Sequence, residues 1–536
     1  MSLSGHGPSG YRPGIGQPVS RTGRPNKWRS PVPLLRRVPA AAVIAVVLAT
    51  NLVTAGVVAS AQPPDQPPAC SDTLPGLRYL VLFDPGTGKP AAAGEIADAC
   101  GSLTGYYPQI AVAVATSPDS RFAQRLGPDR AFSAQRVMRA QQGPRKSDET
   151  ASTQAQVTAD PAAVSTADLT DDQWDMTLIK ADRARRISEG SKKVVVGVLD
   201  SGVDPSHPEL KAALDPALSA GCLSGVADTS PKAWVPTASP HGTHVAGTIA
   251  AADDGRGTTG VAPGVRIASV KVVDDDGFIF PEYAVCGLMW ATANKMAVTN
   301  NSYFVDPWLM TCTRDSEHVV FEAVRRAVDY ATRQGVLTVA AATNEGADLS
   351  DPGGQTADGP SESGMERRTL DSSCKVLPAG LRGVIAVSAV GEDEVKASYS
   401  SYGLGVIDVA APGGEPKKTA ARYDDAEQAP TPSTGEEQNS ECVLSTVPGG
   451  YDRYCGTSMA TPHVTGVAAL LASEHPDASP PELSRMLTEQ AESIPCPSDY
   501  DLDGTGAQDA YCDGYAPYNG FYGHGMVDAL AAVSEN

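Results

Sequence analysis

Beyond residue 173 the apolar positions fall into two alternating rhythms. Short, nearly unbroken apolar runs occupy 193–199, 267–273, 336–342 and 384–389. Such runs fit strands covered on both faces, as in a parallel sheet. Between them, 244–251, 284–295 and 317–333 are helix-like, and 464–471 reads as a further, buried helix. Strand and helix in alternation predict an α/β fold with a doubly wound parallel sheet. Two stretches interrupt the alternation, 347–373 and 414–441. Both are rich in Gly, Pro, Ser, Thr and acids, and are expected to be long surface loops.

A smaller pattern precedes this one. Residues 79–83 and 110–114 are strand-like and 91–99 and 133–139 helical, so 62–142 predicts a small α+β domain after a Pro-rich spacer. The polar stretch 143–172 has the composition of an exposed, protease-sensitive linker. Residues 1–37 are rich in Pro, Gly and Arg and contain no acid, which predicts a disordered basic leader. Residues 38–61 carry no charge and follow that basic flank. Two readings stand side by side: a signal peptide cut after Ala59-Ser60-Ala61, or a retained anchor about long enough to span a bilayer. The remaining 173–536 form the large domain.

Composition narrows the function. A formal net charge of -21 disfavours a phosphate backbone as partner, so no nucleic-acid binding is expected. The 10 cysteines are even in number and scattered rather than paired as CxxC. That disfavours zinc and fits export with disulfides. Cys70 and Cys100 are the two in the small domain and can pair with each other. A monomer without an organic cofactor is expected.

Three polar motifs sit among these elements. The first long strand ends in Asp200-Ser201-Gly202-Val203-Asp204. An acid at the carboxyl end of a parallel strand lies at the rim where such sheets bind ligands. His241-Gly242-Thr243-His244 opens a helix; the spacing of its histidines suggests a metal pair, but no HExxH glutamate lies between them. Gly456-Thr457-Ser458-Met459-Ala460 places a serine where a buried helix begins. Free backbone N–H groups and the helix dipole favour an oxyanion there. The order acid, histidine, serine along an α/β chain is the subtilisin order.

With these residues in view, the chain resembles the subtilisin-like serine peptidases, the subtilases, from about residue 173 onward. Ala341-Ala342-Thr343-Asn344-Glu345-Gly346 resembles the family segment that carries the oxyanion asparagine. Residues 77–142 more loosely resemble the inhibitory propeptide of these enzymes. The resemblance implies a serine endopeptidase made as a zymogen, with protein or peptide substrates and its own propeptide as inhibitor. It assigns Ser458 as nucleophile, His241 as general base and acid, Asp200 as the residue orienting the imidazole, and Asn344 as oxyanion donor. Ser302 matches the position lining the primary pocket. Backbone near Ser302 and Gly277 would pair with the substrate as a strand. The alternatives are a membrane-anchored processing protease, with the membrane as partner only if 38–61 is retained, and a binding scaffold that has lost catalysis.

The chain departs from the family pattern at Thr343 and Phe304, where glycine is usual. Phe278, Ile279, Phe280, Tyr303 and Phe304 gather on the two cleft-bordering stretches, which implies bulky apolar substrates. Glu345 argues the other way, since an acid near the pocket attracts Lys or Arg. Calcium is expected at two places. Glu209 and Asp254 match positions of a subtilase calcium site. Asp499, Asp501 and Asp503, followed by Gly504, space carboxylates as in the first half of an EF-hand loop, with Cys496 and Cys512 placed to close it.

Overall fold

The computed structural model describes residues 70, 75–127, 129–139, 166–353, 356–361, 364–416 and 441–534. The basic leader, the 38–61 segment, the spacer, most of the expected linker and 417–440 of the second interrupting stretch lie outside the described residues.

The first elements are β1 (Leu77–Leu82), α1 (Lys89–Asp98), β2 (Ser102–Tyr107), β3 (Val112–Ser117), α2 (Phe122–Leu126), β4 (Ala131–Phe132) and α3 (Ala134–Arg139). The strands form an antiparallel sheet in the order β2-β3-β1-β4. Side chains alternate faces along a strand. Leu77, Tyr79 and Val81 therefore pack with Ile96 of α1 and with Phe122. Leu80, Leu82, Val112, Val114 and Phe132 face the opposite way and join a core shared with the larger part of the molecule.

That part continues with α4 (Trp174–Leu178), α5 (Ala181–Ala184), β5 (Val195–Asp200), β6 (Ala220–Gly221), α6 (Pro231–Trp234), α7 (His241–Ala250), β7 (Arg266–Lys271), α8 (Pro281–Ala293), β8 (Val298–Asn301), α9 (Glu317–Arg333) and β9 (Leu337–Ala341). Next come β10 (Thr356–Ser361), β11 (Gly364–Thr369), β12 (Val384–Val390), β13 (Val409–Pro412), β14 (Val443–Val447), β15 (Gly450–Tyr454), α10 (Thr457–Glu474), α11 (Pro480–Glu489) and, near the end, α12 (Ala529–Val533). Seven strands form one parallel sheet in the order β13-β12-β9-β8-β5-β7-β6. Val196 and Val198 of β5 pack in the core with α7 and α10, while Val195 and Leu199 pack in the core with α8 and α9. The strand is covered on both faces, as its unbroken apolar run requires.

The expectation of a bare surface loop at 347–373 is corrected. β10 and β11 pair there as an antiparallel hairpin. The Cys312–Cys374 disulfide, a bond from Trp308 Nε1 to the Pro360 carbonyl (3.0 Å) and one from Arg368 Nε to Glu317 Oε1 (3.0 Å) tie it to the body. A second hairpin, β14–β15, is closed by Cys442–Cys455 and turns at Gly449, whose φ of +80° suits glycine. Cys70–Cys100 and Cys496–Cys512 form as the sequence suggests, and Cys222–Cys286 adds a fifth disulfide.

Candidate active site

β5 has β7 on one side and β8 on the other, so the order of strands reverses around it. Crevices open beyond the carboxyl ends of strands at such a point. Asp200 is the last residue of β5 and is 1% exposed. Its Oδ1 accepts from the Ser201 N–H (2.7 Å) and from His241 Nδ1 (2.8 Å). His241 opens α7 and keeps 29% of its side chain exposed. The next residue must be small, since a Cβ on Gly242 would come within 2.5 Å of the Gly202 carbonyl oxygen.

His244 lies one turn deeper and serves a different purpose. It is fully buried, stacks on Tyr454 and sets Nε2 3.1 Å from the carbonyls of Val443 and Asp452. Burial holds its pKa down to about 3, so the ring is neutral and Nε2–H donates. The histidine pair suggested by the spacing is thus a split pair, with His241 at the crevice and His244 anchoring the β14–β15 hairpin.

Ser458 stands in the first turn of α10. Pro462 has no N–H for the carbonyl four residues back, which is that of Ser458. That carbonyl accepts from Ser302 Oγ instead (2.8 Å), and Ser458 Oγ rests 3.3 Å from the Ser302 carbonyl. Asn300 Nδ2 donates to Ser302 Oγ (2.9 Å), while Asn300 Oδ1 accepts from Thr465 Oγ1 (2.9 Å). The end of β8 and the start of α10 are stitched together through these bonds.

Asn344 follows β9 and is exposed. Its Oδ1 accepts from Thr457 N (2.9 Å) and Thr457 Oγ1 (2.8 Å), which fixes the amide so that Nδ2 is its outward donor. Thr343 holds a φ of +85°, a conformation that costs a β-branched residue about 1–3 kcal/mol. Ser401 compensates, with Oγ 2.9 Å from Thr343 Oγ1 and its N–H donating to the Thr343 carbonyl (3.1 Å).

The five expected substrate contacts separate. Ser302 adjoins Ser458, as above. Gly277, with φ of +85°, and half-buried Phe278 lie on the segment before α8, and half-buried Phe304 on the segment after β8. Tyr303 departs from the expectation. It is 7% exposed, and its hydroxyl donates to Asn301 Oδ1 (2.9 Å), so its ring belongs to the core. Ile279 and Phe280 are buried too. Phe278 is partly exposed and stacks on Phe280, with centroids 5.6 Å apart.

The two calcium candidates differ in fit. Glu209 is 3% exposed, and its Oε2 is buried without a hydrogen-bond partner among the described residues. Its Oε1 accepts from Tyr451 OH (3.1 Å), and its backbone carbonyl accepts from Ala252 N (3.0 Å) of the loop bearing Asp254. Burial, then the charge of Asp254, pushes the Glu209 pKa up to about 7. An orphaned carboxylate oxygen beside a second carboxylate fits a cation. At the second place the structure brings together Asp501, Asp503 and Asp509, with carboxylate oxygens within 4.8 Å of one another. Asp499 differs from the expectation: its Oδ1 accepts from Gln508 Nε2 (2.5 Å). Asp509, seven residues beyond Leu502 and bonded to that N–H, takes its place.

Taken together, these elements define a doubly wound parallel α/β protein that carries an acid, a histidine and a serine in that chain order. Residues 191–525 match the subtilase family, and the chain belongs to it. It is 32% identical over 356 residues to fervidolysin of Fervidobacterium pennivorans, covering 63% of this chain and 42% of that protein. It is 34% identical over 304 residues to subtilisin NAT of Bacillus subtilis subsp. natto, covering 56% of this chain and 61% of that one. The chain thus spans about half the length of these relatives. Among solved structures, the epidermin leader peptide processing serine protease of Staphylococcus aureus aligns with a TM-score of 0.59 at 19% identity. It covers 85% of this chain and 98% of its own, and shares the fold.

Proposed function

We propose that the chain is an exported serine endopeptidase, made as a precursor that its own amino-terminal domain keeps inactive. The observation carrying this is the approach of His241 to buried Asp200 at 2.8 Å at the carboxyl end of β5, while Ser302, just past the end of the neighbouring strand β8, bonds to Ser458. Ser458 attacks the scissile carbonyl and passes its proton to His241. The imidazolium that forms is stabilised by Asp200, and later returns the proton to the leaving amine. Asn344 Nδ2 donates to the developing oxyanion, an interaction worth about 10²–10³ in rate for such donors.

Residues 62–142 act as the inhibitory propeptide and 143–172 as its cleavable tether. Supporting this, one face of the small sheet lies in the core that contains α8 and α9, and Arg78 reaches Glu282 and Tyr283 at the start of α8. Glu209 and Asp254 would hold a calcium ion that neutralises their charge and pins the 252–258 loop. Asp501, Asp503 and Asp509 form a second, weaker candidate. Export is favoured by five disulfides, and among the described residues no helix is long and apolar enough to cross a membrane. The uncharged 38–61 run keeps the anchored alternative open, and cell fractionation decides between them.

Labelling with a fluorophosphonate probe tests the central claim. The probe is expected on Ser458 and absent from Ser458→Ala. That variant loses turnover on the order of 10⁶-fold, the scale known for a triad serine in a related enzyme, and accumulates as uncut precursor. Peptidase activity within roughly tenfold of wild type would overturn the proposal.

A further inference from the structure

We infer that the cleft accepts three residues on the amino side of the scissile bond and that Asp306 closes it to a fourth. This rests on the peptidase reading and specifies its substrates. Extended substrates gain affinity by pairing their backbone with an open edge. Here the two edges are the segment before α8 and the segment after β8. On the first, Gly277 N donates to the Asp274 carbonyl (3.1 Å). Phe278 N donates to Asp274 Oδ1 (2.9 Å), and the Phe278 carbonyl accepts from Asp274 N (3.1 Å). Ile279 N donates to Asp306 Oδ2 (2.8 Å), and the Ile279 carbonyl accepts from Asp306 N (3.0 Å). Among the described residues, the Gly277 carbonyl is the group on this edge left for a substrate.

The facing edge is bounded at both ends. The Ser302 carbonyl marks the reacting end, 3.3 Å from Ser458 Oγ. Val305 N is committed to the Leu377 carbonyl (2.9 Å), and Asp306 begins the clasp to Ile279. Residues 302–304 remain, about 10 Å of extended chain, which matches three substrate residues. The clasp is buried: Asp306 is 3% exposed and Ile279 8%. A fourth substrate residue could pair with Ile279 only by displacing both bonds to Asp306. One of those runs to a carboxylate and is the stronger kind, so the exchange yields no net affinity.

The test is a series of peptide substrates with one leaving group and two to five residues before the scissile bond, assayed on the processed enzyme. We expect kcat/KM to rise from two residues to three and to stay flat, within about twofold, from three to five. A gain of roughly tenfold or more on adding the fourth would overturn the inference. Asp306→Ala frees the Ile279 N–H, while the backbone bond from residue 306 to the Ile279 carbonyl stays, so there the fourth residue should add rate; Asp306→Asn keeps an acceptor and the plateau. If Asp306→Ala does not fold, the wild-type series decides alone. Binding of the same peptides to Ser458→Ala by calorimetry reads the clasp without turnover, while fluorophosphonate labelling reads the nucleophile separately. Equal affinity for three and four residues supports the closed cleft, and a fourth residue binding roughly tenfold tighter overturns it.

Discussion

The amide of Asn344 owes its orientation to a neighbour on another element, since both donors of Thr457 grip its oxygen. An exposed side chain would otherwise sample several rotamers, and an oxyanion donor is useful only when already aimed. Asn344→Ala is therefore expected to lower kcat by about 10²–10³ with little change in KM. Thr457→Val keeps the N–H and removes the hydroxyl, so a smaller loss, roughly tenfold, is expected in kcat. Steady-state kinetics on one peptide checks both, and a change confined to KM would contradict the role. The place of Asn344 just past a buried strand was legible in the sequence, and its motif suggested the role proposed for it. Its tether was not, because Thr457 lies far along the chain and looks like ordinary helix-start chemistry. Thr343 stood out as a departure from glycine, yet only the backbone reveals that it keeps a left-handed φ under the grip of Ser401. Tyr303 misled for a simple reason: an aromatic beside the nucleophile reads as pocket until its hydroxyl is found on Asn301.

At the scale of elements, what was legible follows burial. β5, β9 and β12 are buried along their whole length, so their apolar runs announce them. α9 was placed at 317–333 because its buried residues, from Val319 to Ala331, keep helical spacing. The hairpins were not legible. β15 is only half-buried and carries polar residues, and β14–β15 is held by its disulfide and by His244. The small sheet raises a question of energy, because its second apolar face is covered by the core that includes α8 and α9. Arg78 adds polar contacts there, with Nε 3.3 Å from Glu282 Oε1 and Nη2 2.5 Å from Tyr283 OH. Glu282 is 2% exposed, and burial raises its pKa, so losing its cation leaves a buried carboxyl without its partner. A purified 62–142 fragment should inhibit the processed enzyme at micromolar concentration or below. Arg78→Ala in that fragment should weaken inhibition by roughly tenfold or more. Absence of inhibition at a large excess of fragment would count against the propeptide assignment.

For the whole molecule, the buried carboxyl of Glu209 ties stability to pH and, through the proposed calcium site, to the ion. Without the ion its folded pKa is about 7, above the ordinary 4.5. Between those values the folded protein holds a proton that the unfolded chain has released. Stability from this group is therefore full at low pH and declines as pH rises through that window. Calcium binds the ionised form, so its stabilising effect should grow with pH toward 7. Melting temperatures at pH 5 and 7.5, with EDTA and with millimolar calcium, test this. A larger calcium shift at pH 7.5 is expected, and Glu209→Gln should reduce it. Asp501→Ala should reduce it further if the second cluster also binds. No shift at either pH would remove calcium from both places.

α10 carries a wider consequence. All its residues except Ser458, Ser473 and Glu474 are buried, and it lies in the core with β8, β9, β12 and β13. The serine therefore cannot be presented while the interior is molten, nor kept in position once the interior opens. On the proposed function, loss of the fold and loss of the nucleophile are then a single event.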